Sequence, residues 1–183
     1  FDNGELNLYT CSLKYIEGPL EDAYDWRADV MNPAWDPRLA RRKLKARPDT
    51  LICDALLDQD IFAGVGNIIK NEVLFRIRVH PANPVGDLPP RKLAELVKQA
   101  REYSFDFLRW KRGFELKKHW QVHTRRTCPR CGGLISKVHM GTTHRRTFFC
   151  PVCQVDYRAR TPRPAAKKRS LARGSVQRGG TRP

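Results

Sequence analysis

Two pairs of cysteines have the spacing of a tetrahedral metal site. Each pair is a C-x2-C sequence, 18 residues separate the pairs, and the four members are Cys128, Cys131, Cys150 and Cys153. Each pair can supply one edge of a tetrahedron, and a β-hairpin between the pairs would bring the two edges together. Four thiolates leave no coordination position open, so the predicted Zn2+ is structural and not catalytic. Disulfides or ordinary buried cysteines are the alternative, and we expect Cys11 and Cys53 to be core residues.

The segment between the cysteine pairs is basic and also carries aromatic side chains. Its residues of interest are Lys137, His139, His144, Arg145 and Arg146, followed by Phe148 and Phe149. A hairpin fixed by a metal can direct arginine toward phosphate, because the guanidinium group forms charge-assisted hydrogen bonds with phosphate oxygens. A basic hairpin that is only solvated would have the same composition, and this segment alone does not decide between the two.

A glycine turn, Gly64-Val-Gly66-Asn67, precedes a predicted helix. Glycine lets the backbone approach a ligand closely, and the start of the following helix offers free N–H groups and a positive dipole end. The side-chain amide of Asn67 adds two donors. These features favour a phosphate-binding turn, although a plain turn between helices is equally compatible with them. A dinucleotide site is disfavoured, because no strand precedes the glycines and no third glycine follows.

The elements that would position these residues fall into five segments. The chain divides into terminal strands of a β-sandwich (1–20), an acidic linker (21–35), a helical domain (36–112), a zinc finger (113–157) and a basic tail (158–183). Apolar and polar residues alternate up to about Gly18, which is typical of strands, and two short strands cannot stand alone. The tail has almost nothing to bury, so its composition predicts disorder.

Capping residues and apolar spacing predict the helices of the middle segment. Asp36 followed by Pro37 is expected to open one helix, and Asp49 or Thr50 the next. The helix after the glycine turn is expected to end near Phe75. The longest helix is predicted from about 90 to 110, where apolar residues recur at helical spacing.

The charge distribution favours a polyanionic partner. The net charge is +16 over 183 residues, and residues 155–183 carry nine basic side chains against one acidic. A basic chain gains affinity for nucleic acid because each neutralised phosphate releases counterions. No apolar run is long enough to cross a membrane, and the first residues do not form a secretory signal.

Two motifs resemble those of the formamidopyrimidine-DNA glycosylase/endonuclease VIII family. Residues 56–81, LLDQDIFAGVGNIIKNEVLFRIRVHP, are similar to its helix-two-turn-helix signature. The four-cysteine hairpin with RRTFFCPVCQ is similar to its C-terminal zinc finger. The resemblance covers residues 1–154 and implies an α+β fold: a helix-two-turn-helix domain and a zinc-finger β-hairpin, preceded by remnant strands of a β-sandwich.

The resemblance also implies roles for two residues. Asn67 corresponds to the turn asparagine that binds the phosphates flanking a lesion, and Arg145 to the zinc-finger arginine that binds them from the other side. Such contacts hold the backbone while a damaged nucleotide is extruded, and they do not read sequence. The family's catalytic start is Pro-Glu, but here Phe1 and Asp2 occupy those positions, and Lys14 lies in the wrong segment for the family's assisting lysine. We therefore assign no catalytic residue and expect most of the N-terminal catalytic lobe to be missing.

The function that the resemblance implies is DNA repair. The chain is expected to be the damaged-DNA-binding portion of a base-excision-repair DNA glycosylase/AP lyase, which removes oxidised bases and nicks abasic sites by β-elimination. The expected partner is double-stranded DNA with such lesions, bound by a monomer in the cytoplasm or nucleoid. The alternative is a non-catalytic zinc-ribbon nucleic-acid-binding protein, which accounts for the charge and the cysteines but not for the glycine turn. A further possibility is that the helices only support the zinc module.

Overall fold

The computed structural model describes residues 2–9 and 15–158 as helices, one hairpin and the segments that join them. The helices are α1 (Leu20–Ala23), α2 (Pro37–Lys45), α3 (Ile52–Ala55), α4 (Gln59–Phe62), α5 (Asn67–Arg76) and α6 (Pro90–Arg112). The strands are β1 (Ser136–Met140) and β2 (Arg145–Phe149), and short 3-10 turns cover Trp26–Ala28, Val85–Asp87 and Leu116–His119. No helix in the described ranges has the length and apolar content needed to cross a membrane.

Helix α2 begins where the sequence predicts. The Asp36 side chain accepts a hydrogen bond from the Arg38 N–H at 2.8 Å, and Pro37 occupies the first helical position, where a missing N–H costs nothing. Ala40 and Leu44 are buried one turn apart, so this helix turns a narrow apolar face to the core and leaves its arginines in solvent.

The predicted cap of the next helix is wrong. Leu51, not Asp49 or Thr50, precedes the first residue of α3, and within residues 2–9 and 15–158 no side chain caps this helix. The first N–H groups are satisfied through tertiary structure instead, because Ile52 N–H donates to the Asn83 carbonyl at 2.8 Å. A backbone partner 31 residues away in the chain leaves no local signal.

Helices α5 and α6 build the core of the helical domain and confirm the sequence prediction. Helix α6 buries an apolar stripe at helical spacing, formed by Leu93, Leu96, Val97, Ala100 and Tyr103, and packs against α5 and α2. In α5, seven consecutive residues from Ile69 to Phe75 are buried, including the polar Lys70, Asn71 and Glu72. The helical core covers one side of α5 and the β1–β2 hairpin covers the other.

The prediction that residues 21–35 form a linker is wrong for the second half of this segment. Ala28 and Val30 are buried in the helical core, and the Val30 N–H donates to the Ala63 carbonyl at 3.2 Å. The Arg101 guanidinium donates to the Val30 carbonyl at 2.8 Å and so ties this segment to α6. Only the first half of the segment, residues 21–27, is exposed throughout. Most of the acidic residues that suggested a linker lie in this half.

The predicted strands near the N-terminus are also wrong for the described residues. Residues 2–9 and 15–18 form no strand, and Leu6, Tyr9 and Tyr15 are exposed. A strand needs a partner for its backbone N–H and C=O groups, and alternation alone does not provide one. The prediction for Cys11 lies outside the described residues, and so does the tail beyond Arg158. Cys53 is buried, as predicted.

Candidate nucleic-acid interface

The four predicted metal-binding cysteines lie together. Their Sγ atoms are all within 4.8 Å of one another, and the cross-pair distances are 3.8 Å from Cys128 to Cys153 and 3.6 Å from Cys131 to Cys150. A tetrahedron with Zn–S bonds of about 2.3 Å has edges of about 3.8 Å. These separations therefore fit four thiolate ligands around one metal ion and are much too long for disulfides.

Helix α5 and strand β2 are joined by a series of polar contacts. The Asn67 side-chain amide donates to the Arg146 carbonyl at 2.9 Å, and Lys70 Nζ donates to Thr147 Oγ1 at 2.8 Å. One residue further along each element, the Phe148 N–H donates to Asn71 Oδ1 at 3.3 Å. Positions 67, 70 and 71 share one face of a helix, so this face matches three consecutive residues of the strand.

Lys70 is buried at the centre of this contact, with 1% of its surface exposed. Burial lowers its pKa to about 8, and the positive charge of Arg145 acts in the same direction. The carboxylate of Asp54 opposes this shift. Asp54 also accepts the Thr142 N–H at 3.0 Å, so it contacts the turn of the hairpin as well as influencing the lysine.

Glu72 fixes the segment that leads into the four-cysteine cluster. Its carboxylate is fully buried and accepts the backbone N–H groups of Gln121, Val122 and His123 at 2.8–3.1 Å. Burial raises the pKa of Glu72, and these N–H groups partly offset that effect. Burial also lowers the pKa of His123 to about 4, so its neutral ring can accept the Asn71 amide at 3.1 Å.

The first cysteine pair is attached to the C-terminal end of α5. Arg130, which lies between Cys128 and Cys131, donates to the Phe75 carbonyl at 2.7 Å, and its guanidinium carbon lies 4.0 Å from the centre of the Phe75 ring. A cation at a helix C-terminus is favourable because the last carbonyls carry partial negative charge. The four-cysteine segment therefore contacts α5 at both ends, at Asn67 and at Phe75.

The glycine turn is held in shape by a residue to which sequence reasoning gave no role. Gln59 accepts the Gly64 N–H at 3.0 Å and donates to the Leu57 and Val65 carbonyls at 2.9 and 3.3 Å. Gly64 has φ 88°, a conformation that favours glycine. Gly66 precedes α5, and no side chain of the described residues caps this helix. The start of α5 thus keeps the chemistry of an anion site.

The two residues predicted to bind DNA are brought to the same end of the interface. Asn67 is the first residue of α5, and its side chain contacts the Arg146 carbonyl. Arg145 directly precedes Arg146 in strand β2 and is paired with Met140. Arg145 and Arg146 are exposed and form no ion pair within the described ranges. Lys70, Asn71 and Glu72 were missed as positioning residues, because polar and charged residues in a helix are normally read as its solvent face.

A comparison with family models matches residues 28–104 to the formamidopyrimidine-DNA glycosylase H2TH domain. This match contains α2 to α5, the glycine turn and most of α6. It also begins at Ala28, the first buried residue of the segment that composition assigned to a linker.

Curated relatives and solved structures extend this similarity beyond the helices. Endonuclease 8-like 3 of Mus musculus is 40% identical over 127 residues, which cover 69% of this chain and 21% of that protein. DNA-(apurinic or apyrimidinic site) lyase Nei2 of Mycolicibacterium smegmatis is 37% identical over 135 residues, covering 69% of this chain and 51% of that protein. The chain thus spans between a fifth and about half of these two relatives. A structure of Lactococcus lactis formamidopyrimidine-DNA glycosylase bound non-covalently to DNA with an AP site superposes with TM-score 0.64, at 29% identity over 70% of this chain and 49% of that chain.

Proposed function

Because the chain belongs to the formamidopyrimidine-DNA glycosylase/endonuclease VIII family, we propose that it is the part of a DNA-repair glycosylase/AP lyase that binds damaged DNA. One observation carries this proposal: the hydrogen bond from Asn67 to the Arg146 carbonyl joins the glycine turn to the basic strand. Each of these elements suits phosphate by its own chemistry, and together they form a single cationic surface.

The proposed contacts act on the DNA backbone. The Asn67 amide and the first N–H groups of α5 bind one phosphate beside the lesion, and the Arg145 guanidinium binds a phosphate from the side of the hairpin. Two fixed anchors on one strand favour extrusion of the nucleotide between them, which costs a few kcal/mol of stacking and pairing. Neither contact reads a base, so binding depends on the lesion and not on sequence.

We propose that the four-cysteine cluster binds one Zn2+. When bound, the ion supplies a rigid cross-link between the two ends of the hairpin and performs no chemistry on DNA. The residues around it transmit this rigidity: Arg130 holds the first cysteine pair to α5, and Gln154 ties the second pair to the Val79 carbonyl at 2.8 Å. Arg145 is thereby held at a fixed distance from Asn67.

The reaction proposed for the whole protein is removal of an oxidised base, followed by β-elimination at the abasic site. The relative named as an AP lyase and the similar glycosylase bound to AP-site DNA support this choice. We propose that residues 28–112 and 113–157 act as one DNA-binding unit. We further propose that a monomer suffices, because a single copy carries both phosphate-binding elements, and that it acts where chromosomal DNA is found.

The test is lesion preference. Affinities for three ligands would be measured at one ionic strength, since salt alters nucleic-acid binding strongly: a duplex with one tetrahydrofuran abasic-site analogue, the same duplex without it, and an RNA duplex of that sequence. We expect the abasic duplex to bind most tightly. Equal affinity for all three would support a non-catalytic zinc-ribbon binder and contradict the repair function.

A further inference from the structure

Helix α6 ends in a turn that holds Phe114 in the left-handed backbone region. The Phe114 N–H donates to the Lys111 carbonyl at 3.2 Å, and the Glu115 N–H donates to the Trp110 carbonyl at 2.9 Å. These two bonds form a Schellman turn, in which the residue with positive φ is usually glycine. Here that residue is Phe114, with φ 58°, although its neighbour Gly113 has an ordinary φ of −81°.

Phe114 is 97% exposed. A phenyl group left in water gains nothing from burial, and a β-carbon at positive φ adds steric strain. Phe114 therefore carries both the cost of an exposed phenyl group and the steric strain of a positive φ, and no burial of its side chain offsets either cost. Uncompensated departures of this kind concentrate at functional positions, where the side chain is needed for a purpose other than folding.

The surroundings of Phe114 are cationic and lie beside the glycine turn. The ring borders a groove of about 490 Å³ whose lining includes Ile68, the residue directly after Asn67. Lys111 and Lys117 also line this groove and form no ion pair among the residues the structure describes, whereas Lys118 pairs with Glu115 at 2.9 Å. The groove therefore combines an exposed aromatic ring with free positive charge, next to the start of α5.

We propose that Phe114 stacks on an unpaired base of the DNA bound at Asn67, an inference that rests on the proposed function. An aromatic ring flanked by lysines is the usual platform for single-stranded nucleic acid, because every base has a flat face and every nucleotide carries a phosphate. A base inside an intact duplex is already stacked on both faces. The ring therefore selects a base that has left the stack, as happens next to an extruded nucleotide.

Charge argues for a nucleic acid as the occupant of this groove. An apolar peptide segment would leave Lys111 and Lys117 without counter-charges, whereas a nucleotide supplies both a ring face and an anion. The groove volume also suits one nucleotide better than an extended protein surface, since small-ligand sites are commonly about 300–1,000 Å³.

The experiment compares Phe114→Gly and Phe114→Trp with the wild type. Glycine removes the ring and relieves the backbone strain, so the melting temperature of Phe114→Gly should stay unchanged or rise by up to about 4 °C. Its affinity for the tetrahydrofuran duplex should fall about 5- to 150-fold, the range for loss of one base–aromatic stack. Phe114→Trp should bind at least as well as the wild type. Phe105→Ala is the control, because Phe105 is another exposed phenylalanine but lies within α6 and lines a different groove.

A second measurement identifies the stacked base. In a set of tetrahydrofuran duplexes, bases opposite and flanking the lesion are removed one at a time. Removal of one particular base should reduce the affinity of the wild type. Removal of the same base should not further reduce the affinity of Phe114→Gly, because the ring and the base form a coupled pair. Unchanged affinity of the stable glycine variant, or a loss without this coupling, would overturn the inference.

Failure of the proposed function would be visible separately. If the wild type shows no preference for the lesion, the repair proposal fails, and the same variants compared on single-stranded DNA still decide whether Phe114 stacks on a base. If the wild type prefers the lesion and Phe114→Gly binds equally well, only the role of Phe114 is refuted.

Discussion

The side-chain amide of Asn67 and the backbone carbonyl of Arg146 are joined by a hydrogen bond of 2.9 Å across 79 residues of sequence. This bond connects the first residue of α5 to the strand that carries the basic side chains. Lys70 and Asn71 continue the same contact along the helix. The glycine turn and the hairpin therefore keep a fixed separation, which the proposed binding of two phosphates on one DNA strand requires.

Replacement of Asn67 by alanine should weaken DNA binding more than it weakens the fold. Loss of one hydrogen bond to a charged phosphate should reduce affinity for the abasic duplex about 10- to 100-fold, whereas loss of the bond to Arg146 should cost about 1 kcal/mol of stability. Fluorescence anisotropy and thermal melting measure the two effects. Asn3→Ala, at an exposed position, is the control. Wild-type affinity in Asn67→Ala would mean that the helices only support the zinc module.

Replacement of Arg145 by alanine should remove one phosphate contact and leave the metal site intact. The slope of log affinity against log salt concentration should become shallower by about 0.9, because one fewer counterion is released on binding. A salt titration measures this slope, and metal analysis gives the zinc content. Arg38→Ala, on the exposed face of α2, is the control, and its slope should differ from that of the wild type by less than the slope of Arg145→Ala does. Zinc loss in Arg145→Ala would show that the residue maintains the fold.

Replacement of Cys150 by serine should abolish zinc binding and unfold the hairpin, because metal binding supplies part of the folding free energy of such a module. The damage should extend to α5, since Lys70 would lose Thr147 as its hydrogen-bond partner. Metal analysis and near-ultraviolet circular dichroism report the two effects. Cys53→Ala, at a buried cysteine outside the cluster, should retain one zinc ion per chain. A folded hairpin in metal-free Cys150→Ser protein would contradict the structural role of the metal.

Replacement of Lys70 by methionine should alter the pH dependence of stability. Burial lowers the pKa of Lys70 to about 8 from its ordinary 10.5, so between these pH values the unfolded chain binds more protons than the folded one. The stability of the wild type should therefore rise with pH across this window relative to Lys70→Met. The total relative gain should be on the order of 3 kcal/mol. Denaturant unfolding at a series of pH values measures it, with exposed Lys137→Met as the control. Parallel curves for the wild type and Lys70→Met would show that Lys70 is solvated.

The sequence predicts the parts of the site that have a fixed local spacing. The cysteine pairs, the glycine turn and the apolar stripe of α6 are all patterns within one element or one short segment, and each is found where it was expected. The polar contacts between α5 and β2 follow no such local pattern. Lys70, Asn71 and Glu72 resemble the solvent face of an amphipathic helix, and their partners lie 49 to 77 residues further along the chain.

The ends of elements were predicted less well, for a related reason. The start of α3 is fixed by backbone bonds to a distant segment, and Val30 is buried because Arg101 and Ala63 hold its backbone. The alternating residues before Gly18 have a strand pattern but no partner strand among the described residues. Phe114 shows the same limit at the end of α6, where glycine occupies position 113 but the left-handed conformation falls one residue later.

Contacts at both ends of α5 fix the length of this helix as well as its side chains. Asn67 meets the hairpin at the first turn and the carbonyl of Phe75 meets Arg130 at the last. An inserted or deleted residue between them would rotate one end by about 100° and shift it by about 1.5 Å relative to the other. Natural variants should therefore exchange residues within α5 while keeping their number constant, and changes in chain length should be accommodated elsewhere.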